Sequence, residues 1–146
     1  MLQAYRDDTF IDQTCLIHLT KFVEHPFCTR HHQFVWALES PSIQLPTPHV
    51  ERIRQIRTAI GPDIKIRIDA NQGWAKEAAL EVLTQLAPYD IEFCEQPMHK
   101  YYDDYLPALC AQSPVKIMAD ESVFTHHDAR KLIANKACHS INIKFS

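Results

Sequence analysis

Four apolar segments of this chain each run out in a residue able to do chemistry, and those residues recur at a nearly constant interval. They are Asp69, Glu95, Asp120 and Lys144, spaced 26, 25 and 24 residues apart. Ile64–Asp69 alternates apolar and polar residues with the period of a strand, and Ile91–Glu95, Val115–Asp120 and Ser140–Lys144 are further short strands. Between them, Ala75–Leu86 is rich in Ala, Leu, Glu and Lys and predicts a helix. Tyr102–Cys110 predicts a short one, which Pro107 permits from its first turn alone. His127–Lys136 predicts another, with Thr125 as its cap. Ahead of the first strand, Thr47 caps a helix with Pro48 in its first turn. Val50, Ile53, Ile56 and Ile60 line its apolar face, and Gly61 stops it before Pro62. Strands alternating with helices of this length imply βαβ units and a parallel sheet. One such unit per interval puts the four residues at one level, on the C-terminal edge where βα barrels build active sites.

Composition narrows the classes. The chain has 146 residues, 46% hydrophobic and 23% charged, the balance of one soluble globular domain. A net charge of −3 offers no basic footprint for nucleic acid. No apolar run approaches the roughly 20 residues of a membrane span, so no membrane partner is expected. The N-terminus is acidic where a secretory signal would be basic. Five cysteines make an odd set without a CxxC pair, which points to reduced thiols and a cytoplasmic location. Nine histidines show no HExxH spacing, and the adjacent pairs His31–His32 and His126–His127 read as surface or loop residues.

An acidic residue after a strand often caps the next helix, and for one site that explanation suffices. Three at a fixed period, followed by a lysine at the same period, ask for another. Carboxylates converging from adjacent strand ends repel one another and are costly to desolvate unless something pairs them. A hard divalent cation with oxygen ligands resolves this, and Mg²⁺ is the natural candidate. Asn71 and Gln72 shape the loop after the first carboxylate or support it, and Glu121 is placed to bond another group of the site. Lys65 and Lys116 read as solvent-facing or ion-paired strand residues, and Trp74 as core.

The local words go further. IDANQGW (68–74), EFCEQPM (92–98) and IMADES (117–122) resemble successive metal-ligand motifs of the enolase superfamily, and INIKFS (141–146) resembles its sixth-strand N-[IL]-K motif. The combination is most similar to the muconate-lactonizing subgroup, and residues 92–146 to dipeptide epimerases of the L-Ala-D/L-Glu type. The resemblance covers about the last 97 residues. It implies an α/β fold, a partial TIM-type (β/α) barrel spanning roughly the third to sixth strands. It also implies that Asp69, Glu95 and Asp120 bind Mg²⁺. Asn71 and Glu121 would stand behind them. Lys144 would be one of two lysines moving the α-proton of a small carboxylate substrate such as a dipeptide. Such a proton is very weakly acidic, and its removal leaves an enediolate whose charge a divalent ion stabilises. The same cation lowers the proton affinity of a nearby lysine towards neutral pH. Muconate cycloisomerase, o-succinylbenzoate synthase and N-succinylamino acid racemase share the ligand layout, and a non-catalytic remnant is the contrasting reading.

The chain departs from the family pattern in two places. No K-x-K second-strand motif precedes Thr47, and the sequence stops at Ser146, directly after the sixth-strand lysine. A full barrel takes roughly 250 residues. We therefore expect residues 1–46 to be an unassigned, non-homologous or frame-shifted stretch, and 47–146 to be part of a barrel domain whose last two βα units are absent. With one of two acid/base lysines recognisable, the chain alone is expected not to exchange the α-proton. An open sheet with two edges favours self-association, so a homo-oligomer is the expected assembly.

Overall fold

The structure, a computed structural model, describes Gln33–Ala37 and residues 47–143. Five strands, β1 (Gln33–Ala37), β2 (Lys65–Asp69), β3 (Ile91–Glu95), β4 (Ile117–Ala119) and β5 (Ser140–Ile141), form one sheet in sequential order. Every neighbouring pair is parallel. Parallel neighbours need a crossover, and the helices supply it: α1 (Thr47–Ile60), α2 (Lys76–Leu86), α3 (Leu106–Gln112) and α4 (His126–Ala134). β1 lies ahead of the boundary expected at residue 47. It pairs with β2 over five positions, from Gln33 opposite Lys65 to Ala37 opposite Asp69. Of the stretch expected to be unassigned, 1–46, residues 1–32 and 38–46 lie outside the described residues, as does Lys144.

Period-two alternation separates two faces of the sheet. On β2, Ile66 and Ile68 are fully buried, while Lys65, Arg67 and Asp69 keep some exposure on the other face. Ile66, Ile68, Cys94, Ile117 and Ala119 pack against Ile53 of α1, Leu83 and Leu86 of α2 and Leu109 of α3. Each fully buried side chain of this size contributes about 1.5–3 kcal/mol. Trp74 is 6% exposed and belongs to this core.

The β2–β3 ladder contains one irregularity. Ile66 pairs with Ile91, but Arg67 pairs with Phe93, so β3 carries one extra residue, Glu92. Its carboxylate takes the Arg67 guanidinium at 2.6 Å, and the same guanidinium lies 5.0 Å above the Phe93 ring.

The helix boundaries follow local chemistry. Gly61 adopts φ +76° and its N–H donates to Arg57 O at 3.1 Å, a left-handed stop open to glycine at no steric cost. The segment expected as one helix over 102–110 instead divides into a 3₁₀ stretch, Lys100–Tyr105, and α3. Pro107 sits in the first turn of α3, where no N–H is needed. Thr125 caps α4 in a reciprocal box: its hydroxyl accepts the Asp128 N–H at 3.3 Å, and its own N–H donates to the Asp128 carboxylate at 2.8 Å. The Thr125 hydroxyl and N–H hold the Asp128 carboxyl below its usual range. A depressed folded value stabilises above the unfolded pKa near 3.8 and is lost as pH falls through the folded value. Thr125→Ala should cost about 1 kcal/mol in urea unfolding at pH 7. That cost should shrink below pH 4, and a pH-independent cost would argue against the box.

Candidate functional site

Asp69, Glu95 and Asp120 all stand at C-terminal ends of parallel strands. Asp69 ends β2 and Glu95 ends β3, and the two are paired in register. Both lie on the face opposite the buried Ile68 and Cys94. Glu95 pairs onward with Met118, and Asp120 stands two residues beyond Met118, on the same side by parity. The constant interval in sequence therefore gives one level for Asp69 and Glu95 and a step up for Asp120. A tilted, staggered sheet does this: a barrel closes with strands inclined to its axis, and its register shifts from strand to strand.

Each carboxylate has a distinct setting. Asp69 Oδ1 accepts the backbone N–H of Asn71 at 2.8 Å, the first bond of a turn in which Asn71 and Gln72 both take positive φ, 44° and 62°. Glu95 Oε1 accepts the Asn142 side-chain amide at 2.8 Å, a contact spanning 47 residues. Asp120 is 9% exposed, and its N–H donates to Gln96 Oε1 at 3.0 Å. Glu121 follows it, half-buried. Burial pushes the Cys94 thiol well above its usual range, with the Asp69 and Glu95 carboxylates adding to the effect, as befits a core residue on the opposite face of the sheet.

The donor set suits a hard divalent ion in type, since all three groups are carboxylates projecting from strand ends. Among the described residues, no three His, Cys, Asp or Glu side chains are gathered closely enough to hold one ion in this conformation. Asp69, Glu95 and Asp120 would be the holders. Lys65 lies elsewhere, ion-paired with Asp90 at 3.0 Å, and Lys116 is exposed.

Two polar residues of the site carried no separate weight in the sequence. Asn142 precedes Lys144 by two, the spacing at which residues of a strand share a face, and that signal was available from the sequence alone. Gln96 had no such signal, since it sits between a strand end and a proline.

The model of the enolase C-terminal domain-like family matches residues 31–146. The chain belongs to this family. The enolase-type match begins ahead of β1, consistent with the pairing of that strand. The chain is 50% identical over 97 residues to the D-Ala-D/L-Ala epimerase of Cytophaga hutchinsonii, covering 66% of this chain and 26% of that protein. It is 39% identical over 101 residues to the L-Ala-D/L-Glu epimerase of Clostridium acetobutylicum, covering 68% of this chain and 28% of that protein. The solved dipeptide epimerase of Cytophaga hutchinsonii, complexed with Mg and D-Ala-L-Val, superposes with TM-score 0.67 at 42% identity. That superposition covers 73% of this chain and 28% of the epimerase. The chain thus spans about a quarter of the length of these relatives. The parallel βα succession is accordingly part of an enolase-type (β/α) barrel.

Proposed function

We propose that these residues form the metal-binding wall of a Mg²⁺-dependent epimerase that removes the proton α to a carboxylate, with a dipeptide as substrate. The observation that carries this is the register of Asp69 with Glu95 on one face of the strand ends, with Asp120 following on the next strand. Asp69, Glu95 and Asp120 hold the ion, which supplies positive charge where negative charge develops on the substrate carboxylate. The Asn142 amide orients Glu95 through its 2.8 Å bond. Asn71 and Glu121 stand behind the ligands. Lys144 is the base for the stereoisomer whose α-proton lies on its side of the α-carbon, and the proton donor when the reaction runs the other way. Inversion requires a second base on the other face, so turnover is the wrong readout for these residues alone. The relatives that act on dipeptides favour a dipeptide over the cycloisomerase and synthase substrates.

The test is calorimetric titration of the chain with L-Ala-D-Glu and with D-Ala-L-Ala, in Mg²⁺ and in EDTA. Binding that requires Mg²⁺ is the expected result. Equal binding in EDTA, or no binding of either dipeptide in saturating Mg²⁺, would overturn the reading.

A further inference from the structure

Gln96 is 1% exposed and lies directly after Glu95, in left-handed backbone at φ 35°, a conformation costly for a non-glycine residue unless its surroundings fix it. Its surroundings do so at every polar atom. Oε1 accepts two backbone N–H groups from the turn after β4, Asp120 at 3.0 Å and Ser122 at 3.3 Å. Nε2 donates to Met98 O at 3.1 Å and to Ser122 Oγ at 2.7 Å. The Ser122 hydroxyl in turn donates to Asp103 Oδ1 at 2.6 Å. The backbone of Gln96 is equally committed. Its N–H donates to Met118 O at 2.9 Å, and its carbonyl accepts the Gln72 N–H at 2.8 Å. One residue therefore touches the loop after β2, the end of β3 and the end of β4, the three places that present Asp69, Glu95 and Asp120.

We infer that Gln96 is a positioning residue, tying together the three strand ends that carry the carboxylates, with Ser122 and Asp103 completing its anchorage. This rests on the metal-ligand reading proposed above. Gln96 faces no ion itself; it acts on Asp120 through the backbone N–H, and on Glu95 by being its chain neighbour. A side chain that holds a ligand without binding the metal typically contributes 10- to 100-fold in affinity.

Mn²⁺ titration followed by electron paramagnetic resonance, on the full chain, tests it. Gln96→Met keeps the side-chain volume and loses all four side-chain bonds. It should weaken Mn²⁺ binding about 10-fold or more and alter the line shape of the bound ion. Ser122→Ala should act in the same direction to a smaller extent, and it carries the test alone if Gln96→Met does not fold. Leu83→Ala, a core change on α2, should lower the melting temperature while leaving Mn²⁺ affinity as in the wild type. Wild-type affinity in Gln96→Met and in Ser122→Ala, with Asp120→Asn impaired, would overturn the positioning role alone. Wild-type affinity in Asp120→Asn as well would overturn the ligand reading beneath it.

Discussion

Mg²⁺ should raise the melting temperature of the wild-type chain and barely move that of Asp120→Asn. An ion that binds only the folded chain stabilises it by about 2.7 kcal/mol at a concentration 100 times its Kd. Losing one of three anionic ligands should weaken affinity on the order of 100-fold, beyond the usual cost of losing a supporting residue. At the same Mg²⁺ concentration the variant then gains about 0.4 kcal/mol. For a domain of this size the two figures correspond to shifts of about 10–20 °C and about 2–3 °C. Asp69→Asn and Glu95→Gln should behave alike. Without Mg²⁺, each variant should be at least as stable as the wild type, because a like charge has been removed from the strand ends. Melting curves in Mg²⁺ and EDTA decide the matter: wild-type shifts in all three variants would refute the ligand set.

Arg57→Ala should unfold about 10–20 °C earlier than the wild type, with no change in Mg²⁺ affinity. The Arg57 guanidinium gathers backbone carbonyls at the opposite end of the sheet. Nη1 donates to Gly61 O at 2.7 Å and Ile64 O at 2.6 Å, while Nε and Nη2 reach Tyr89 O at 3.0 and 2.9 Å. These bonds tie the α1–β2 turn to the α2–β3 turn. A charge-assisted bond contributes more than a neutral one, and the truncation leaves several half-buried carbonyls unpaired, about 3 kcal/mol in all. Arg57→Lys should recover less than half of that, because an ammonium lacks the planar fork that serves several acceptors at once. The residue stands at the end of the strands where a barrel keeps its stability, away from the end that carries chemistry. An Arg57→Ala chain that melts like the wild type would show these bonds to be replaceable by water.

The sequence made the repeating βα units legible because strand and helix leave different periodicities. Ile66 and Ile68 announce β2 by alternation, and Ile53, Ile56 and Ile60 announce α1 by helical spacing. The three carboxylates were legible for the same reason, being fixed to strand ends by the chain itself. Arg57 and Gln96 were not, and of Asn142 the spacing from Lys144 was legible but the bond to Glu95 was not. Their long-range bonds span 24 residues from Gln96 to Asp120, 32 from Arg57 to Tyr89 and 47 from Asn142 to Glu95, and such contacts leave no periodic trace. The 102–110 helix was misplaced because Lys100–Tyr105 winds more tightly, with Tyr102 off helical geometry at φ −101°. β1 fell within the stretch expected to be unassigned, since neither glycine nor a paired motif marked its place.

The extra residue in β3 has a consequence for how this domain can change over evolutionary time. Counting from Ile66 opposite Ile91, an uninterrupted ladder would set Asp69 beside Cys94 and leave Glu95 one step out of line. Glu92 takes up that step, held by Arg67. A single-codon deletion at Glu92 would thus close the ladder, with Ile91, Phe93, Cys94 and Glu95 facing Ile66, Arg67, Ile68 and Asp69 without interruption, and Glu95 would keep its partner. Insertions in the turn around Pro62 would likewise leave all pairings intact. One lost residue is therefore absorbed within β3 as well as in the turns between elements, so the interval from Asp69 to Glu95 can shorten by one without parting them.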